Sequence, residues 1–537
     1  METVYIKILH SYNYMFPPFL WCCLYVFFIL PPFSAEPFSK RPFLRLPFGP
    51  KFSIAQSEMT KTVSLDYTLS KKDQQLVNKI SGFYGLIGPN VSLGNIGSLF
   101  ELFTGDGNIQ GIFMENGNLT FVKRFIRTDK LVYESENGRI PMNMWASMLS
   151  FVLNKFKLLP SMMDLANTAL LNVNGSIYAL YERDMPYQLN VDFQNKTIDT
   201  VQKITVPAMR YFSAHSKYGS SLSINEDRCI ETIEYYVYTR EVIYHQLYEN
   251  FTIKNTTVVK MKYIPIVHDF VSIPESVIIT DSPIRYSSKS KIPVLFDKSL
   301  KTAIHVIRKR DMTYTTYYSG ESFYIFHYAY CKENERFIEI YASLYDDIDF
   351  NTLNTKANYR KIVIDKEKRS VRIFRNQELE KYDLDFPRRF DNKMVFINIK
   401  KNTSHPLDSM INGFVVCQGL NIRRKILFDD LSICGEPAVI EIDGKPHLLS
   451  FAFEYPSRIR KYLLVIDLRR YTIIKIKLDD DIPLQLGFHS LFIENMPEKK
   501  PGFLRPFRFL RPFRFLRFIR RFFTRIYDDE NRFGSGI

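Results

Sequence analysis

Cysteine is scarce: six residues in a chain of 537. That is too few to staple a disulfide scaffold, and no CxxC pair is present, which argues against a thiolate zinc site. Tryptophan occurs twice and glycine 22 times, so a collagen-like chain is excluded. The phosphate-cradling GxxxxGK[ST] loop, the GxSxG nucleophile elbow and the HExxH zinc helix are all missing. Gly105, Gly107 and Gly111 make GxGxxxG, one residue off the dinucleotide fingerprint. Histidine is limited to nine, which makes each one worth placing.

What is present is ordinary for a folded protein in bulk, at 46% hydrophobic and 24% charged, but rich in Phe (45) and Tyr (33). A core of useful size can form without staples. The net charge of +15 is unevenly spread, because residues 499–526 hold ten bases and no acid. The body is only mildly basic.

The two ends differ from the body. Residues 1–36 form an apolar segment whose centre, Phe19–Leu30, is bracketed by Pro17, Pro18, Pro31 and Pro32. Its 12 residues fall short of the roughly 20 that span a bilayer and suit a signal-like or interfacial segment. Residues 37–74 read as a Pro/Phe/basic linker. Residues 496–537 are an Arg/Phe-rich low-complexity tail in which Arg505, Arg508, Arg511, Arg514, Arg517 and Arg520 recur every third position. That period aligns them on one edge of a polyproline-type helix. Segments 16–33 and 503–523 are candidates for docking on a membrane surface, with Phe and Leu in the acyl boundary and Arg on anionic headgroups. A low-complexity expansion without function is the competing reading of the tail, and nucleic acid is the weakest partner of the three.

Between them, residues 75–495 read as β throughout. GIFMENGNLTFVKRF alternates around Asn116-Gly117 and AVIEIDGKPHLLSFAF around Asp443-Gly444, both hairpin signatures. RKIVIDKEKRSVRIF and YLLVIDLRRYTIIKIKL are further pairs broken by charged turns. A helix is expected only within 141–159. Short strands at regular spacing suggest a sandwich, barrel or propeller.

Four histidines sit among apolar or strand-like neighbours: YFSAHSKYG (His215), PIVHDFVSI (His268), YIFHYAYC (His327) and QLGFHSLF (His489). A buried imidazole is costly unless its ring nitrogens find partners. Taken singly, each reads more readily as a satisfied structural histidine. Separations of 53, 59 and 162 residues give no metal-ligand spacing, so only a closed scaffold could gather them.

A series of motifs in fixed order then resembles the carotenoid cleavage oxygenases over about residues 80–495. It runs GFYGLIGPNVSLG, LFTGDGNIQ, KRFIRT, NTALLNVNGSIYALYERDMPYQL, FSAHSKYG, HDF, FHYAY, DFPRRF, GEPAVIE and GFHS. The resemblance implies an all-β fold, a seven-bladed β-propeller with a loop and helix cap over an axial iron site. It implies one Fe(2+) held by His215, His268, His327 and His489. It further implies that Glu182, Asp385 and Glu436 orient His268, His327 and His489, and that Thr168 screens an open coordination position. The implied partners are O2 and an apolar polyene or stilbene. The implied activity is dioxygenase cleavage of a conjugated double bond, with isomerohydrolase chemistry or a silent lipid-binding propeller as alternatives. A ferrous site favours a reducing compartment, so a membrane-associated, cytosol-facing protein is expected.

The chain departs from the family at several points. Asp385 stands where the family has Glu, and its shorter stem predicts a lengthened bond to His327 or an intervening water. Glu101 and Thr104 replace the family's His and Asp, and Leu86-Ile87 its Arg-Asn.

Overall fold

The computed structural model describes residues 43–495, apart from 44, 46–48, 66–68, 92–97, 141–149, 151–152, 155, 220–227, 288–291, 354 and 401–409. The apolar N-terminal segment, the Arg/Phe tail and most of the helix expected within 141–159 lie outside the described residues.

Alternation of apolar and polar residues, turned by residues that accept positive φ, builds the fold hairpin by hairpin. Asn116 (φ 51°) with Gly117 (φ 79°), Asn174 (φ 49°) with Gly175 (φ 91°), and Asp443 (φ 52°) with Gly444 (φ 66°) form two-residue turns. Positive φ at both positions matches the right-handed twist of the flanking strands. In the first sheet Gly82–Asn90, Asp106–Glu115 and Asn118–Phe125 run antiparallel. Met59–Val63, within the stretch read from sequence as linker, adds to the outer edge of that sheet. Ser490–Glu494, the last described strand, adds to its inner edge beside Gly82–Asn90.

Six more antiparallel sheets follow in chain order, with first strands beginning at Ala169, Lys217, Val271, Tyr324, Leu384 and Leu431. Together with the first they make seven blades, numbered here in that order. A small hairpin, Ile284–Tyr286 with Val294–Phe296, branches from blade 4. The ring closes because blade 1 draws strands from both ends of the described chain.

Each pair of neighbouring blades shares its own buried cluster. Val122 and Ile177 belong to the cluster of blades 1 and 2. Tyr244 and Ile279 join blades 3 and 4, and Phe451 and Phe121 join blades 7 and 1. Tyr359 and Phe396 join blades 5 and 6, with ring centroids 4.4 Å apart. Burying one such side chain is worth about 1.5–3 kcal/mol, so these aromatic residues contribute to holding neighbouring blades together.

By contact the chain divides into two units. The propeller unit is Ile54–Thr128 with Leu165–Ile537; the other is Met1–Ser53 with Asp129–Asp164. Within the smaller unit, helix Asp129–Asn137 turns Tyr133 into a cluster with Ile140, Leu159 and Phe43, while Glu134 pairs with Lys130 and Arg139. No described helix is long and apolar enough to cross a membrane.

Candidate metal centre

The seven inferred site residues outside Thr168 come one from each blade. His215 immediately precedes the innermost strand of blade 3, His268 that of blade 4 and His489 that of blade 1, while His327 lies at the start of the innermost strand of blade 5. Glu182 follows the second strand of blade 2, Asp385 lies on the innermost strand of blade 6, and Glu436 lies after the innermost strand of blade 7. Innermost strands converge on the propeller axis, so residues far apart in the chain meet there.

The four imidazoles meet closely, with one ring nitrogen from each lying within 4.8 Å of the others. The Nε2 atoms of His215 and His268 are 3.0 Å apart, and those of His327 and His489 are 3.2 Å apart. His268, His327 and His489 are each held from behind through Nδ1. Glu182 Oε1 accepts from His268, Asp385 Oδ1 from His327 at 2.9 Å, and Glu436 Oε1 stands 3.3 Å from His489. A carboxylate on Nδ1 fixes the tautomer that leaves Nε2 with a free lone pair. No carboxylate partner is recorded for His215 among the described residues; its backbone amide donates to Ser213 Oγ.

Asp385 answers the question raised by its short stem. The bond to His327 is direct, so neither lengthening nor a bridging water is needed. The strand bulges between Asp385 and Arg388, and Phe386 takes φ 53°. A bulge bends the strand and re-aims a side chain, which here makes up the missing methylene. The Phe386 ring packs 4.7 Å from His327 and 4.9 Å from His489.

A further layer was not read from the sequence. Tyr235 donates to Glu182 Oε2 at 3.1 Å and Tyr345 to Asp385 Oδ2 at 2.5 Å. Glu436 instead meets a cation: Arg388 Nη2 is 2.7 Å from its Oε2, and the Ser490 amide donates to the same oxygen at 2.9 Å. Arg388 also donates to the Ser490 carbonyl. Its place three residues after Asp385 in DFPRRF was the available signal; the tyrosines offered none. Gly435 takes φ 150°, and a Cβ there would lie 2.5 Å from the Gly487 carbonyl. That close approach lets the loop bearing Glu436 bond to the loop bearing His489, through Glu436 N to Phe488 O and Gly487 N to Cys434 O.

Charge follows the same layout. Burial raises the cost of charging Glu436, but Arg388 and His489 outweigh it and hold the carboxyl down at about 2. Burial likewise opposes charge on Asp385, and His327 with the Tyr345 hydroxyl and Phe386 amide overcomes it, leaving the carboxyl below its ordinary value. Burial pushes His215 well below its usual value, with the other three histidines adding to the effect. Burial also lowers His489, to about 4, against the pull of Glu436. At His215 and His489 burial thus favours the neutral form that binds a metal, whereas at His327 burial is outweighed by the Asp385 carboxylate, which raises the value.

The donor set fits a metal ion: four buried nitrogens, no competing acid among them, and three of the rings fixed by hydrogen bonds. Imidazole suits iron as well as zinc, copper and nickel. A cavity of about 250 Å³ opens onto His268, His327 and His489 and is walled mainly by apolar side chains, among them Phe103, Phe326, Ile397 and Phe488. Helix Leu99–Phe103 contributes Leu99, Leu102 and Phe103 to this wall. Thr168 lines the same cavity, with its hydroxyl donating to Asn167 Oδ1 at 2.9 Å. Leu86 and Ile87 are buried in blade 1, and Thr104 bonds back to the Glu101 carbonyl as the end of that helix.

The retinal pigment epithelial membrane protein family matches residues 78–494 of this chain. The chain belongs to that family, the carotenoid cleavage oxygenases. Among curated relatives, the carotenoid 9,10(9',10')-cleavage dioxygenase 1 of Arabidopsis thaliana is 23% identical over 306 residues, which cover 52% of this chain and 54% of the relative. The protein of the same name from Phaseolus vulgaris is 24% identical over 281 residues, covering 48% and 50%. The chain thus spans about half the length of these relatives. Among solved structures, a cobalt-substituted apocarotenoid oxygenase of Synechocystis superposes with a TM-score of 0.64 at 15% identity, over 82% of this chain and 96% of that one. A chimera of an apocarotenoid oxygenase gives the same TM-score at 14% identity, again over 82% and 96%. Both likenesses support the seven-bladed fold of this member of the family.

Proposed function

We propose that this protein is a non-haem iron(II) dioxygenase that cleaves one conjugated C=C bond of a carotenoid or apocarotenoid. The observation that carries the proposal is the opening of an apolar cavity onto a cluster of four imidazole nitrogens. His215, His268, His327 and His489 would hold one ferrous ion. When bound, that ion would activate O2 toward a ground-state alkene, while the electrons that reduce O2 come from the double bond itself. The reaction balances without another reductant: the C=C bond breaks, each carbon takes one oxygen atom, and two carbonyl products leave.

The chain's own part is placement. Glu182, Asp385 and Glu436 aim three imidazoles and keep them in one tautomer. Phe103, Phe326 and Phe488 form apolar wall suited to a polyene and inhospitable to water. Thr168, beside the histidines, narrows the space available to a ligand. Holding one double bond in reach of the site is the term that sets which bond is cut. The direct Asp385–His327 bond counts against the silent lipid-binding reading, which leaned on a defective Asp385. The membrane-surface role of 16–33 and 503–523, and a cytosol-facing location, remain part of this proposal and rest on sequence composition.

The test is oxygen uptake by anaerobically purified, iron-loaded protein given β-carotene, an apocarotenal or resveratrol, with carbonyl products resolved by chromatography. Uptake matched by aldehyde formation from a polyene supports the proposal. Aldehyde formation from resveratrol alone would move the assignment to a stilbene cleaver, and isomerised alcohol without oxygen uptake would move it to an isomerohydrolase.

A further inference from the structure

The cavity that reaches the histidines has one feature that a hydrocarbon does not require. Among the described residues lining it, only Asp385 and Arg458 carry a formal charge apart from the histidines. Asp385 is committed to His327 and Tyr345. Arg458 is not committed: among the described residues no carboxylate within ion-pair distance is recorded for its guanidinium. The nearest acid in sequence, Glu454, already accepts from Ser457 at 2.7 Å and pairs with Arg460 at 3.5 Å.

The local backbone keeps Arg458 in place. Strand Lys445–Glu454 ends in a tight turn in which the Arg458 amide donates to the Glu454 carbonyl and the Glu454 amide to the Arg460 carbonyl. Arg458 itself takes φ 58°. Its guanidinium carbon lies 5.3 Å from the centre of the buried Phe453 ring, which lines the same cavity. This is cation–π distance, a contact that uses none of the guanidinium N–H groups, and no hydrogen-bond acceptor for them is recorded among the described residues. The residue is exposed, so the cation stands where the cavity meets solvent. It also bears on the interior, since its charge acts on the fully buried Cys434 thiol against the stronger effect of burial.

A free guanidinium edge at the mouth of an apolar cavity matches a chain with a carboxylate at its outer end. We infer that Arg458 selects polyene monocarboxylic acids, such as apocarotenoic or retinoid acids, by pairing with the terminal carboxylate while the polyene lies along the apolar wall toward the histidines. This rests on the cleavage reading above and narrows it to an acidic substrate class. Arginine is suited to the task because its fork meets both carboxylate oxygens at once, and the pairing fixes how far the chain enters, hence which bond reaches the site.

The experiment compares retinoic acid with methyl retinoate on the full-length, iron-loaded protein, reading affinity from quenching of intrinsic fluorescence and turnover from KM and kcat. The acid binds tighter than the ester by about three- to tenfold, the size of a partly screened charge pair. Arg458→Gln brings that ratio to about one, Arg458→Lys restores part of it, and Arg458→Glu inverts it. The change appears mainly in KM, and added salt shrinks the wild-type ratio. Equal affinity for acid and ester in the wild type overturns the inference, as does a ratio untouched by Arg458→Gln. An equal loss for both ligands would make Arg458 a packing residue and also overturns it. So would a loss of binding to phosphatidylserine vesicles with the acid-to-ester ratio preserved, which would assign the cation to headgroups. If both polyenes are cleaved without preference, only this inference falls. If neither binds nor is cleaved, the cleavage reading falls with it.

Discussion

The His327 and His489 arms share a plan and differ in what stands behind the carboxylate. In the first, Asp385 is backed by the hydroxyl of Tyr345, a neutral donor. In the second, Glu436 is backed by the guanidinium of Arg388. A neutral donor leaves the carboxylate's charge to act on the imidazole. A cation draws part of that charge away, so His489 is the weaker electron donor of the two. The His268 arm follows the first pattern, through Glu182 and Tyr235. Among the described residues His215 has neither, and its ring is placed by the backbone and by its neighbours. The four nitrogens are therefore inequivalent, although all come from one residue type.

The difference also shows in what each arm risks. Removing Glu436 would leave Arg388 facing a buried site without its partner, whereas Asp385→Asn keeps one oxygen for His327 and the Phe386 amide and deprives only the Tyr345 hydroxyl of its acceptor. Glu436→Gln is expected to have the largest effect, destabilising the protein by about 2 kcal/mol in denaturant titration. That is below the full loss for a buried pair, because the Arg388 side chain is 34% exposed. Metal analysis of the same variant should show iron affinity down about 10- to 100-fold, the usual toll for removing a group that orients a ligand. Asp385→Asn should match that iron loss but cost only about 1 kcal/mol of stability, in line with one buried hydrogen bond. If the two variants lose equal stability, the distinction between the arms is wrong.

Asp385→Glu sharpens the comparison from the other side. The aspartate already reaches both His327 and Tyr345, so an added methylene overfills a packed site at a cost of about 1 kcal/mol. Iron retention should fall slightly; a rise would mean that the aspartate is short after all. Tyr345→Phe should be the mildest, about 0.5 to 1 kcal/mol in thermal unfolding, with retention of iron reduced but measurable.

Much of the fold was legible in the sequence because its turns are local. Asn116-Gly117 and Asp443-Gly444 advertise hairpins through a backbone conformation that few other residues accept, and alternation marks the strands between them. Ring closure was not legible, since it depends on Ser490–Glu494 finding Gly82–Asn90, a pairing that no local signal encodes. The four histidines were visible only as isolated buried candidates. Their convergence came from family resemblance, because spacing along the chain says nothing about proximity to an axis. Tyr235, Tyr345 and Arg458 escaped notice for a similar reason: aromatic and basic residues are plentiful here, and only packing shows which few face the site.

The strand that completes the ring begins at Ser490, one residue after His489. Until a growing polypeptide has been synthesised that far, the seam stays open and the fourth nitrogen is elsewhere. An ion held by all four histidines could be enclosed only after His489 has been made, and it would then act as a clasp on the ring, adding stability in proportion to how tightly it is held. Withholding such an ion would then be felt first at the seam between Ser490–Glu494 and Gly82–Asn90, before any question of turnover arises.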